Sequence, residues 1–243
     1  MEGRYVKPEK RVAEYIRNYT KGWNLFEKWW LLIFTVVNIY LFFAWGDTVI
    51  GLITSLTGML CVVLVAKGKI SNYYFGIINV VLYSFISYQN RYYGEVMLNM
   101  LYFLPMQVVG IYYWRKYSNK KKSSGGVLVK SLKWKERITW GVISVVGVFC
   151  YGLFLKYLGG TLPFVDSTST VLSVIAMFLM IKRVTEQWLL WIAIDVVSIY
   201  MWFYILLQGG NDISMLVMWT AYLVNAVYGY FNWRKMEKVQ NGG

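Results

Sequence analysis

Residues 48–66, TVIGLITSLTGMLCVVLVA, run for 19 positions without a charged side chain and end on Lys67-Gly68-Lys69. As a helix, such a run is long enough to cross the hydrocarbon core of a bilayer, which takes about 20 residues. The glycine between two lysines then stops it. The same pattern recurs outward from this stretch. Apolar segments lie at 29–46, 70–89, 95–114, 138–158, 166–181, 187–208 and 212–233, which makes eight in all. The breaks carry turn or polar chemistry: Gly46-Asp47, Asn90-Arg91, Gly159-Gly160, Lys182-Arg183 and Gly209-Gly210-Asn211-Asp212.

The whole-chain composition agrees. Of 243 residues, 58% are hydrophobic and 15% charged, with mean hydropathy +0.44. Ordinary soluble domains are about half apolar and about a quarter charged. A soluble globular enzyme and a disordered tail are therefore excluded, and the expected fold is an all-α polytopic membrane protein of eight transmembrane helices. Histidine is absent, so the commonest general base and metal ligand is missing. Cys61 and Cys150 lie in apolar stretches without metal or disulfide spacing. No cofactor or metal is implied.

A net charge of +13 would point to nucleic acid in a soluble protein, so placement has to decide. With the N-terminus in the cytoplasm, the inner segments hold seven Lys/Arg in 1–28, two in 67–69, nine in 115–137, two in 182–183 and three after Trp233. That is 23 of 25, leaving Arg91 and Lys156 outside. The positive-inside rule then predicts both termini in the cytoplasm, and the excess reports orientation, not a nucleic-acid partner. Lys120-Lys121-Lys122 could in addition touch anionic lipid. Within 1–28, Val12, Ile16, Tyr19, Trp23 and Phe26 recur at helical spacing among basic residues, the pattern of an amphipathic helix in the membrane interface.

Sliding the chain against itself by 119 residues aligns Asp47 with Asp166, Leu60 with Leu179, Gln89 with Gln208 and Gly110 with Gly229. It also aligns Trp114-Arg115-Lys116 with Trp233-Arg234-Lys235. Spans two to four thus resemble spans six to eight, in parallel orientation, with the fifth as connector and a site between the halves. The expected organisation is an amphipathic segment 1–28, an extra span 29–46, a first repeat 47–116 and a basic loop 117–137. A linker span 138–158 and a second repeat 166–235 complete it.

Asp195 is the one charged residue near the middle of a span. A carboxylate there must face a cavity, a partner or a ligand. It can be a protonated group bonded to a neighbouring helix, a counter-charge for a cation, or a protonation switch. Trp188 and Trp191 stand two turns and one turn before it on the same stripe. Indole faces beside an acid suit a flat cation, although Trp188 also fits an interfacial aromatic belt. Deep amides form a second group: Asn79, Asn99, Gln107 and Asn225. Each could bond between helices, or together they could meet ligand hydroxyls. Tyr83 and Tyr222 add aromatic surface with a polar tip, Trp202 and Trp219 are deep but equally suited to packing, and Pro105 marks a kink or hinge. GxSxG, HExxH and phosphate-cradling glycine motifs are missing, so nothing supports catalysis.

The stretch Lys69-Ile70-Ser71-Asn72-Tyr73-Tyr74-Phe75-Gly76-Ile77-Ile78-Asn79-Val80 resembles the first-repeat signature of PnuC-type nicotinamide riboside transporters. So do VLSVIAMFLM (171–180) and EQWLLWIAIDVVS (186–198), the latter being the most specific part. The resemblance covers about 47–235. It implies a fold similar to SWEET sugar transporters, two parallel three-helix bundles joined by a linker helix, assembled as homotrimers in the bacterial inner membrane. It implies nicotinamide riboside as substrate, moved by facilitated diffusion with alternating access and trapped by phosphorylation in the cytoplasm. By position it puts Trp188, Trp191 and Asp195 in the substrate pathway, with Asn225 and Gln107 as partners. Asn79, Tyr83 and Tyr222 complete the candidate substrate-binding set. A proton-coupled transporter of a related nucleoside or cationic vitamin using Asp195, and a receptor that binds without translocating, are the rival readings.

Overall fold

A computed structural model describes residues 22–46, 48–89, 93–118, 126–159, 162–207 and 213–242. Their regular structure is helical: α1 (Leu25–Trp45), α2 (Val49–Ala66), α3 (Asn72–Gln89) and α4 (Tyr93–Met97), the last running through a π-helical turn (Leu98–Phe103) into α5 (Leu104–Lys116). After these come α6 (Trp134–Tyr157), α7 (Pro163–Ile181), α8 (Gln187–Leu207) and α9 (Ile213–Asn241). Among the described residues, five stretches are long and apolar enough to cross a membrane: Leu25–Ala44, Val49–Ala66, Glu95–Lys116, Trp134–Tyr157 and Pro163–Ile181.

Several boundaries differ from expectation, α6 for instance starting at Trp134 where 138 was expected, and the two nearest the chain ends show their cause. A capping box, in which Glu27 N–H donates to Asn24 Oδ1 and Asn24 N–H to Glu27 Oε2 (both 2.8 Å), starts the first helix at Leu25. At the other end α9 continues past Trp233 to Asn241, because its last turns pack on the segment after α5. Val12, Ile16, Tyr19, Asp47, Arg91, the lysines 120–122 and Gln208 lie outside the described residues.

Helix ends follow local chemistry. Thr48 caps α2 by accepting from Gly51 N–H at 3.0 Å. α2 ends where Gly68 takes φ +65°, with Gly68 N–H bonding Val65 O (2.8 Å) and Lys69 N–H bonding Leu64 O (2.9 Å). α7 ends the same way on Arg183, φ +61°, with Arg183 N–H on Met180 O (2.9 Å) and Val184 N–H on Leu179 O (3.0 Å). These turns are 115 residues apart, whereas Gly110 and Gly229 are 119 apart. The single 119-residue register is therefore corrected. The later half carries four more residues between its matching turn and its matching glycine.

Six segments close a ring. α2 packs on α3, α3 on α5 and the π turn, α5 on α7, α7 on α8, α8 on α9, and α9 back on α2. α1 leans on α2 from outside, as α6 leans on α7. Leu32, Val36 and Phe43 of α1 and Val142, Val145 and Phe149 of α6 are exposed outward. An apolar surface of this kind is the one a bilayer covers.

The turns 67–71 and 182–186 lie at one end of the ring, called here the basic end. Residues 127–132 cross it as an extended strap. Val127 N–H donates to Gly68 O (2.9 Å), Lys130 N–H to Arg183 O (3.0 Å) and Thr185 N–H to Lys130 O (2.8 Å). Glu237 and Gln240 of α9 accept from Ser131 N–H and Val129 N–H, both at 2.9 Å. Two ion pairs lie at this end: Arg137 with Glu186 (2.8 Å), and a buried one in which Lys67 pairs with Glu27, donates to Gly22 O (2.8 Å) and stands 4.9 Å from the Trp23 ring centre. Tyr228 of α9 donates to Glu27 Oε1 at 2.7 Å, which ties α1 to the ring.

Candidate functional site

α8 places Trp188, Trp191 and Asp195 on one inward stripe, continued by buried Ser198. Asp195 is 3% exposed, and among the described residues no hydrogen bond or ion pair reaches its carboxylate. A buried charge without a partner costs several kcal/mol, so this position stays destabilising until a cation or donor arrives. Tyr222 of α9 is within charge range of Asp195, and also of Tyr83 and Cys61.

Tyr222 reaches that position because of a glycine. A Cβ on Gly58 of α2 would stand 2.9 Å from the Tyr222 hydroxyl and 2.8 Å from Asn79 Nδ2. Only a residue without a side chain lets α9 and α3 meet there over α2. Asn79 spends its amide N–H on Thr54 O at 2.7 Å, so it serves as a helix-to-helix bond at the rim. The Tyr222 ring is set edge-on against Trp219, centroids 5.9 Å apart. Tyr83 is 40% exposed and stands beside this group.

Two amides remain open. Asn225, 2% exposed and one turn from Tyr222, has an Oδ1 with no donor among the described residues. Gln107 is also buried, and its Oε1 has no donor among the described residues. It lies over Gly76 of α3, where a Cβ would come within 2.6–2.8 Å of its amide. No hydrogen bond among the described residues ties Gln107 to the α8–α9 group. Asn99 bonds Glu95 O at 2.9 Å inside its own helix and so is structural. The π turn ends with Leu104 N–H on Asn99 O, one residue before Pro105, so the local change in helix winding falls where the proline was expected to kink the span.

The two tryptophans of the stripe part company. Trp191 is half-buried between two core clusters. Trp188 is buried near the basic end, its ring against Gly229, where a Cβ would stand 2.6 Å away, and edge-on to Trp233 at 5.9 Å. Its indole N–H has no acceptor among the described residues. Tyr73, 115 residues earlier, is placed alike, against Gly110 and edge-on to Trp114 at 5.1 Å. Of the other deep tryptophans, Trp219 packs beside Ile194. The side chain of Trp202 lies outside the described residues.

Sequence reasoning missed Gly58, Tyr73, Trp114 and Trp233 as parts of this interior. The Trp-Arg-Lys match was the available signal for the last two. Outside the spans, burial and then the neighbouring Lys67 push the Lys69 ammonium below its ordinary value, against the pull of Glu27. Taken together, the interior offers a carboxylate, an indole face, a phenol and two amide oxygens lacking donors. Such a set can hold a flat cation bearing hydroxyls. Among the described residues no cluster of metal ligands accompanies it.

Residues 48–235 match the family model described as nicotinamide mononucleotide transporter. A nicotinamide riboside transporter PnuC of Neisseria mucosa is 39% identical over 234 residues, covering 95% of this chain and 89% of that protein. A protein of the same name from Haemophilus influenzae is 36% identical, covering 95% and 99%. The crystal structure of the vitamin B3 transporter PnuC superposes with a TM-score of 0.80 at 39% identity, over 94% of this chain and 98% of that one.

Proposed function

The chain belongs to the nicotinamide mononucleotide transporter family, and from that premise we propose that it carries nicotinamide riboside into the cell by facilitated diffusion. It is a multi-pass membrane transporter and not an enzyme.

The observation that carries the choice of substrate is Asp195, a buried carboxylate with no cationic partner among the described residues. A pyridinium ring supplies the missing positive charge, and Trp191 supplies a face for it. The open oxygens of Asn225 and Gln107 accept from ribose hydroxyls, with Tyr222 beside them and Asn79 and Tyr83 at the rim. The mononucleotide would add a phosphate, for which no Lys or Arg lies deep in a span, and which Asp195 repels. The riboside is therefore favoured over the phosphorylated form.

Transport runs by alternating access of two parallel three-helix bundles in a SWEET-like arrangement, α2–α3–α5 and α7–α8–α9, with α6 as linker and α1 as an added span. The matched turns at Gly68 and Arg183 and the matched packing of Tyr73 and Trp188 support that reading. The basic end faces the cytoplasm with both termini, by the distribution of Lys and Arg. The membrane is the bacterial inner membrane and the assembly a homotrimer, which the mass of the detergent-solubilised complex tests.

Uptake of labelled riboside into proteoliposomes with and without a pH gradient tests the mechanism. Equilibration to the external concentration in both conditions is expected. Accumulation that follows the gradient would instead make Asp195 a proton carrier, the reading that its lack of a counter-ion favours second.

A further inference from the structure

We propose that Tyr73, Trp114, Trp233 and Trp188 form the gate at the basic end, latched by two reciprocal indole–carbonyl hydrogen bonds. This deepens the transport reading above and rests on it. The four rings make a continuous chain across the ring of helices from α3 to α8, with successive centroids 5.1, 5.9 and 5.9 Å apart. Tyr73, Trp114 and Trp233 have no exposed surface, and Trp188 is also buried. Nothing soluble passes that layer while it is in place.

The latch is the second observation. Trp114 Nε1, on α5, donates to Met180 O of α7 at 3.1 Å. Trp233 Nε1, on α9, donates to Val65 O of α2 at 2.9 Å. Val65 and Met180 are the matching carbonyls of the two Schellman turns, so each half reaches into the end of the other's first helix. Each carbonyl already accepts one turn N–H, from Gly68 or Arg183 at 2.8 or 2.9 Å, and uses its second lone pair for the indole. Removing the indole bond therefore leaves no orphaned carbonyl. These bonds join elements that must separate if the two halves rock apart at this end. Gly110 and Gly229, one turn before the two tryptophans, make room for Tyr73 and Trp188 to complete the layer.

Native Cys61 of α2 reports on the gate, because it packs against the core cluster that holds Tyr73, Trp114, Trp188 and Trp233. In a Cys150→Ser background, a small charged maleimide is added to inside-out vesicles and the labelling rate of Cys61 is measured. Trp114→Phe and Trp233→Phe keep the ring and delete the donor, and each is expected to raise the rate roughly threefold to tenfold, the weight of one net hydrogen bond. Trp29→Phe, on the outer face of α1 and 55% exposed, should leave it unchanged. The variants are equivalent by position, so one that fails to fold leaves the other to decide. Unchanged rates in folded protein would overturn the gate. The readout needs no substrate: faster labelling without riboside uptake sustains the gate and defeats the transport reading, whereas uptake with unchanged labelling does the reverse.

Discussion

Asp195→Asn separates affinity from stability, because the two should move in opposite directions. The carboxylate is 3% exposed and unpaired among the described residues, and asparagine has nearly the same shape. A pyridinium seated about 5 Å away, at an effective dielectric of about 20, is attracted by about 3 kcal/mol. Desolvation of the ring offsets part of that, leaving a loss of about 1.5–3 kcal/mol, or roughly 10- to 150-fold in Kd. The same change rids the ligand-free protein of an uncompensated buried charge, so its unfolding midpoint should rise. Titration calorimetry on purified protein, with nicotinamide riboside against its reduced, uncharged dihydro form, reads the first effect. Thermal unfolding without ligand reads the second. Equal losses for the charged and uncharged ligands would refute the counter-charge argument. A lower unfolding midpoint without ligand would show that Asp195 has a stabilising partner after all.

Trp191→Ala should weaken riboside binding by about 1–3 kcal/mol, the scale of base–aromatic stacking; unchanged affinity in a folded variant would make it a packing residue. Gly229→Ala drives a methyl to 2.6 Å from the Trp188 ring and should cost about 1–3 kcal/mol in thermal unfolding. Gly141→Ala on α6, with nothing within 4 Å, should be neutral or slightly stabilising. Glu27→Gln leaves Lys67 buried without its carboxylate and should cost about 3–5 kcal/mol, much of it recovered in Glu27→Gln/Lys67→Met.

Hydropathy and turn chemistry located the helices to within a few residues, the C-terminal end of α9 excepted, because both are local properties. The interior was legible only where a residue type is anomalous by itself, as Asp195 is in a membrane. Trp188 and Trp191 share a stripe and look alike in sequence, yet Gly229 of another helix receives only the first. Asn79 and Asn99 donate to Thr54 O and Glu95 O, backbone acceptors that no composition reveals. Lys67 counted as one more topology charge, since its pairing with Glu27, 40 residues away, depends on how α1 leans on α2. Identical residues recur at a spacing of 119, while two like turns, at Gly68 and Arg183, stand 115 apart. Backbone conformation was kept there and side chains were not, so a search for identities could not find it.

Counterflow tests the central claim most directly. Proteoliposomes holding the purified protein are preloaded with unlabelled nicotinamide riboside, given no ion gradient, and diluted into a trace of labelled riboside. The label should accumulate transiently, and preloading with nicotinamide mononucleotide should produce no such overshoot. Absence of counterflow with riboside, or an equal overshoot with the mononucleotide, would contradict a carrier selected by a buried carboxylate for the unphosphorylated cation.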